Sequence, residues 1–228
     1  MLIINDARLP EKLIQTLQLL GDCIAFTGSD ITYDAIAGHP DIFFCQINNE
    51  LIIAPNTPKE YVQALQNYTV DFQFGLTPVG ELKHNSTAYN AVVTDTYMIH
   101  NRNFTDKTIL NRQGDRKYIH VKQGYTRCSL LPLADDSFLT SDEGIAAVLS
   151  KNKLNYCYVK PEGILLKGFK NGFIGGCMGV YGKQLFVYGS LDYFPEGGKV
   201  RTFLHKLGYE IIELYKGPLI DGGSLMIL

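Results

Sequence analysis

Apolar residues along this chain come in short runs, and the runs are ordered: two strand-like segments around a turn, a segment with helical spacing, then a third strand-like segment. The clearest instance begins at Arg127. Cys128 to Leu133 reads as a strand, Ala134-Asp135-Asp136 as a turn, and Ser137 to Thr140 as a second strand. Ser141 is then expected to cap a helix running to Lys151, with Asp142 and Glu143 in its first turn, where negative charge suits the helix dipole. Asn155 to Val159, aromatic and β-branched, closes the unit as a third strand.

The same order recurs. Ile42 to Ile47 and Glu50 to Ala54 flank an Asn48-Asn49 turn, and Thr57-Pro58 opens a helix with proline at its first position. Asn90 to Thr94 and Tyr97 to His100 lead to a short helix near Asp106 to Asn111 and a strand from Tyr118 to Val121. Cys177 to Tyr181 and Gln184 to Tyr188 lead to a helix over Lys199 to Lys206, a stop at Gly208 and a strand from Glu210 to Leu214. The chain ends supply a fifth unit in two pieces. Ser224 to Leu228 has only a first strand, while Met1 to Ile4 reads as a second strand and Cys23 to Phe26 as a third. Between them a helix from Pro10 to Leu20 sets Leu13, Ile14, Leu17 and Leu20 on one face. With Asp41, Asn90, Cys128, Cys177 and Ser224 taken as equivalent positions, the intervals are 49, 38, 49 and 47, and 45 across the joined ends. This spacing predicts one α/β domain over residues 1–228, a ring of five ββαβ units whose fifth member is closed by pairing of the N- and C-terminal strands.

Bulk properties narrow the function. Charged residues make up 19% of the chain and the formal charge is −2, with Lys and Arg scattered, which leaves no basic surface for a phosphate backbone and argues against nucleic acid as a ligand. No apolar run approaches the roughly 20 residues that span a bilayer, and the first residues lack a basic region ahead of an apolar one, so the expected location is cytoplasmic and off the membrane. Cys23, Cys45, Cys128, Cys157 and Cys177 are far apart, which fits neither a disulfide framework nor a structural zinc site. His84, His100, His120 and His205 share no metal-ligand spacing, and no phosphate-loop or dinucleotide motif is present, so neither metal nor cofactor is expected.

Three short motifs remain: His39-Pro40-Asp41, Arg127-Cys128-Ser129 and Asp221-Gly222-Gly223-Ser224, each leading into an apolar strand. Each has a structural reading: Cys128 as a buried core thiol, His39-Pro40-Asp41 as a turn before a strand, Asp221-Gly222-Gly223 as a turn whose glycines permit positive φ. Together with the five units, they resemble the pentein fold, a five-fold pseudo-symmetric α/β propeller. It is shared by arginine deiminases, dimethylarginine dimethylaminohydrolases and amidinotransferases, and also by a ribosome-binding initiation factor without catalysis. His39-Pro40-Asp41 is similar to that family's H-x-D element, Asp221-Gly222-Gly223-Ser224 to its E-G-G-D element, and Cys128 to its nucleophile. The order around the ring is kept if the ends are joined, as in a circular permutant. Two positions depart: Gly175-Gly176 stands where an Arg-Asp pair is usual, and Ser224 replaces the second acid.

The resemblance implies a hydrolase or transferase for the C–N bond of a small guanidine- or amidine-like substrate. Cys128 would attack, favoured as thiolate by a neighbouring positive His39, and His39 would protonate the leaving group and activate water. Asp41 and Asp221 would hold the planar cation, and Arg127 would lower the thiol pKa or bind a substrate carboxylate. The alternative is a non-catalytic pentein-like module that binds a small ligand or a protein partner.

Overall fold

The computed structural model describes residues 1–28 and 30–228. Among the described residues, five three-stranded sheets share one plan: a first strand pairs antiparallel with a second, and the second pairs parallel with a third. The parallel step needs a crossover, and in each case a helix supplies it. In the unit around Cys128 the strands are Leu130–Leu133, Ser137–Thr140 and Asn155–Tyr158, with the helix Glu143–Lys151 between the last two. Corresponding sheets join Phe44–Ile47, Glu50–Ile53 and Phe72–Phe74; Val92–Val93, Tyr97–His100 and Lys117–His120; and Met178–Tyr181, Gln184–Val187 and Glu210–Glu213. Among the described residues the sheets stay separate and none closes into a barrel.

The fifth sheet joins the two ends of the sequence. Leu2–Asp6 pairs antiparallel with Met226–Ile227, with Ile3 opposite Ile227, and parallel with Asp22–Phe26. The helix Glu11–Leu20 presses Leu13 and Leu17, both fully buried, into a cluster that also holds Ile3, Phe186 and Ile227. Apolar burial on that scale stabilises the junction by about 1.5–3 kcal/mol per large side chain. First strands of successive units also lie side by side: Phe44–Ile47 beside Val92–Val93, that beside Leu130–Leu133, then Met178–Tyr181 and Met226–Ile227. Gln46 Nε2 donates to Ile227 O across the remaining gap (3.3 Å).

Several local expectations need correction. The segments read as starting first strands at Cys128, Ile42 and Cys177 instead begin with a helical turn: Thr126–Ser129, Pro40–Phe43 and Ile174–Cys177, with the strand only afterwards. Ile42, Phe43, Cys128 and Cys177 in these turns are as buried as the strands they lead into, so the apolar pattern hid the change of conformation. The cap of Glu143–Lys151 is Asp142, whose side chain accepts from Ile145 N; Ser141 Oγ accepts instead from Ile174 N, in the next unit. Outside the five repeated units a further strand, Ile164–Leu165, pairs parallel with Leu219–Ile220. Among the described residues no helix is long and apolar enough to cross a membrane.

Candidate active site

The turns that precede the first strands bring distant residues together. Pro40 pre-sets φ at the start of one, and Asp41 on its first turn is fully buried. Cys128, in the corresponding turn two units on, is 3% exposed, and its Sγ donates to Asp41 Oδ2 (2.9 Å). Asn90 lies between them in sequence order and bolts them together. Its amide nitrogen donates to Asp41 O (3.0 Å) and to Cys128 Sγ (3.3 Å), and its Oδ1 accepts from Cys128 N (3.1 Å). Ser224, from the other end of the chain, donates its hydroxyl to the same Asp41 Oδ2 (2.6 Å). It does so from a left-handed backbone conformation, φ 72°, uncommon for a non-glycine residue and a form of strain that clusters at functional sites.

His39 lies on the adjoining wall, 1% exposed, between two acids. Its Nδ1 is 3.9 Å from Asp221 Oδ1 and its Nε2 4.0 Å from Asp6 Oδ2. Asp221 is held by backbone donors, Phe173 N (2.8 Å) and Gly223 N (3.2 Å), and Asp6 by the fork of Arg8 (3.0 and 2.7 Å). Glycine is required at two places here. A Cβ on Gly176 would overlap the Asp221 carboxylate, and one on Gly223, which has φ 69°, would overlap His39. His39, Asp221, Asp6 and Arg8 line a cavity of about 430 Å³, with Asp34 and Lys167 also on its wall, paired at 3.2 Å.

Electrostatics sets the resting state. Burial pushes the Cys128 thiol well up, and the charges of Asp41 and Asp221 together with the bond to Asp41 push it further. The free protein therefore holds a protonated thiol bonded to a carboxylate. Burial also raises Asp221, against the opposing pull of His39 and the Phe173 N–H. Two polar atoms at the centre, Asp41 Oδ1 and His39 Nδ1, lack hydrogen-bond partners among the described residues. His39, Asp41 and Cys128 each offer one atom to a group lying within 4.8 Å of one another, a set able to hold a metal ion that no sequence spacing displays because the three come from separate segments.

Cys128, His39, Asp41 and Asp221 thus share one neighbourhood. The thiol's direct partners are Asp41 and Asn90 rather than the imidazole. Arg127 points elsewhere: its guanidinium donates to Gly175 O (2.9 Å) and Met178 O (3.3 Å) and faces a second cavity. Sequence reasoning passed over Asn90 and the bond from Ser224, yet both occupy positions equivalent to Asp41 and Cys128, and that equivalence was the signal that would have found them. Asp6 and Arg8 carried no comparable signal.

Comparison with known proteins agrees with this architecture. No curated protein matches the chain in sequence. Among solved structures, the amidinotransferase SxtG of the saxitoxin biosynthetic pathway from Microseira wollei superposes with a TM-score of 0.59 at 11% identity, covering 93% of this chain and 87% of its own. A mutant of dimethylarginine dimethylaminohydrolase from Pseudomonas aeruginosa, complexed with citrulline, gives 0.54 at 11% identity over 93% and 91%. C. jejuni agmatine deiminase with substrate bound gives 0.55 at 11% identity over 99% and 92%. All three are penteins, and this chain has their fold. Residues 4–226 match the family of unknown function DUF6873, to which this pentein-fold chain therefore belongs.

Proposed function

We propose that this protein is a cysteine-dependent hydrolase or transferase acting on a C–N bond of a small guanidine- or amidine-like cation, residues 1–228 forming one five-unit pentein propeller. The observation that carries the reading is the meeting of Cys128 Sγ, the Asp41 carboxylate and the His39 imidazole within 4.8 Å, with Asp41 Oδ1 and His39 Nδ1 left unpartnered among the described residues. Buried acceptors without donors are costly, and a planar cation rich in N–H groups satisfies them. Asp41 and Asp221 accept from that cation, and its charge offsets the carboxylates that keep the thiol protonated. The thiol proton passes to His39 as sulfur adds to the amidine carbon. His39 returns the proton to the departing amine as the C–N bond breaks, leaving an S-linked intermediate. His39 then deprotonates water, or an acceptor amine in a transferase, whose attack on the same carbon releases Cys128.

The protonated, 3% exposed Cys128 favours a second reading, a module that binds a cation without turning it over. Mass spectrometry after treatment with 2-chloroacetamidine, and with its neutral analogue 2-chloroacetamide, separates the two. Catalytic use predicts that the cation modifies Cys128 selectively and faster than the neutral reagent, and that His39→Ala removes the preference. Equal modification by both reagents, or none by the cation, would sink the catalytic reading.

A further inference from the structure

A second cavity, of about 310 Å³, shares no lining residue with the one beside His39. Its walls come from the first strands of all five sheets, among them Cys45, Val93, Leu131, Val180 and Met226. These residues follow the site turns in sequence, so the cavity lies along the strands leading away from Cys128 and Asp41. Arg127 lines it. Its guanidinium has five N–H donors and spends them on two backbone carbonyls, Gly175 O and Met178 O. Among the described residues, no carboxylate oxygen lies within the 4.0 Å of an ion pair. Carbonyl dipoles do not neutralise a charge, and an enclosed cation without a counter-ion is costly. The nearby acid, Asp41, acts on the guanidinium only from beyond ion-pair distance, and its Oδ2 is held by Cys128 and Ser224.

We propose that this cavity is a second ligand site, taking a small monocarboxylate whose head pairs with the Arg127 guanidinium and whose short aliphatic body packs on the apolar strand residues. A carboxylate fits the fork of guanidinium donors, and charge-assisted pairing of that kind is the strong case. The volume lies at the lower end for small-molecule pockets, which restricts the occupant to a short chain. Asp95, the acid on the lining, is exposed on the strand turn, where water and salt screen it. The site is independent of the reaction proposed for Cys128.

Isothermal titration with butanoate and with its neutral isostere butanamide tests this. The wild-type protein is expected to bind butanoate saturably and butanamide not at all. Arg127→Met, which removes the charge and keeps the bulk, is expected to weaken butanoate by about tenfold or more, the scale of a lost charge-assisted pair. Val93→Phe, which leaves the guanidinium in place and fills the cavity, is expected to do the same and decides the matter should Arg127→Met not fold. Cys128→Ser keeps full affinity. Absence of butanoate binding, equal binding of butanamide, or affinity unchanged in Val93→Phe would overturn the proposal.

Discussion

His100 is fully buried at the end of the strand Tyr97–His100, with Nε2 2.8 Å from Gly124 O and Nδ1 2.8 Å from Thr105 Oγ1. A carbonyl on Nε2 means that this nitrogen carries the proton of a neutral ring. Burial lowers its pKa from 6.5 to about 4, with His120 adding to the shift and the Gly124 bond opposing it. The unfolded chain binds a proton below pH 6.5 where the folded one does not, so stability present above 6.5 is lost as the pH falls toward 4. The full loss is about 3.4 kcal/mol, and about 2.6 kcal/mol of it is expected by pH 4.5. Carboxylates titrate in the same range, so the wild type must be compared with His100→Gln, whose amide donates to Gly124 O and stays neutral. Urea unfolding at pH 7.5 and 4.5 should show the wild type losing about 2.6 kcal/mol more than the variant between the two conditions. Parallel losses within about 0.5 kcal/mol would refute the assignment of a buried neutral ring.

Other substitutions test the fold and the site. Leu13→Ala empties a fully buried position between the two chain ends and is expected to cost about 3 kcal/mol by chemical denaturation. Ser224→Ala removes a donor to the buried Asp41 carboxylate and is expected to destabilise by about 2 kcal/mol; urea unfolding unchanged from wild type would contradict the bond. Gly176→Ala forces a methyl against the Asp221 carboxylate; a loss of about 1–3 kcal/mol is expected in the melting curve, together with loss of amidine-selective modification at Cys128.

Much of this architecture was legible because one pattern was written five times. Each repeat alone was ambiguous; their common order located the strands, the crossover helices and the pairing of Leu2–Asp6 with Met226–Ile227. The helical turns at Asp41 and Cys128 were not legible, since their apolar members, Ile42, Phe43 and Cys128, are as buried as the strands they lead into. Nor was Asp6: it ends a middle strand, and its place beside His39 depends on how neighbouring sheets are set, which no local spacing encodes. Arg127 was visible as a neighbour of Cys128 in sequence, but along this backbone adjacent side chains diverge, and the guanidinium went to the other cavity.

The pairing of Leu2–Asp6 with Met226–Ile227 also bears on how the protein comes off the ribosome. Leu2–Asp6 leaves the ribosome well ahead of Met226–Ile227, and its apolar face stays uncovered until that later partner follows. Such widely separated contacts slow folding and lengthen the time a nascent chain needs shielding from aggregation. Ser224 follows both Asp41 and Cys128 in the chain, so the Asp41 carboxylate gains its hydroxyl donor only after that later segment has emerged.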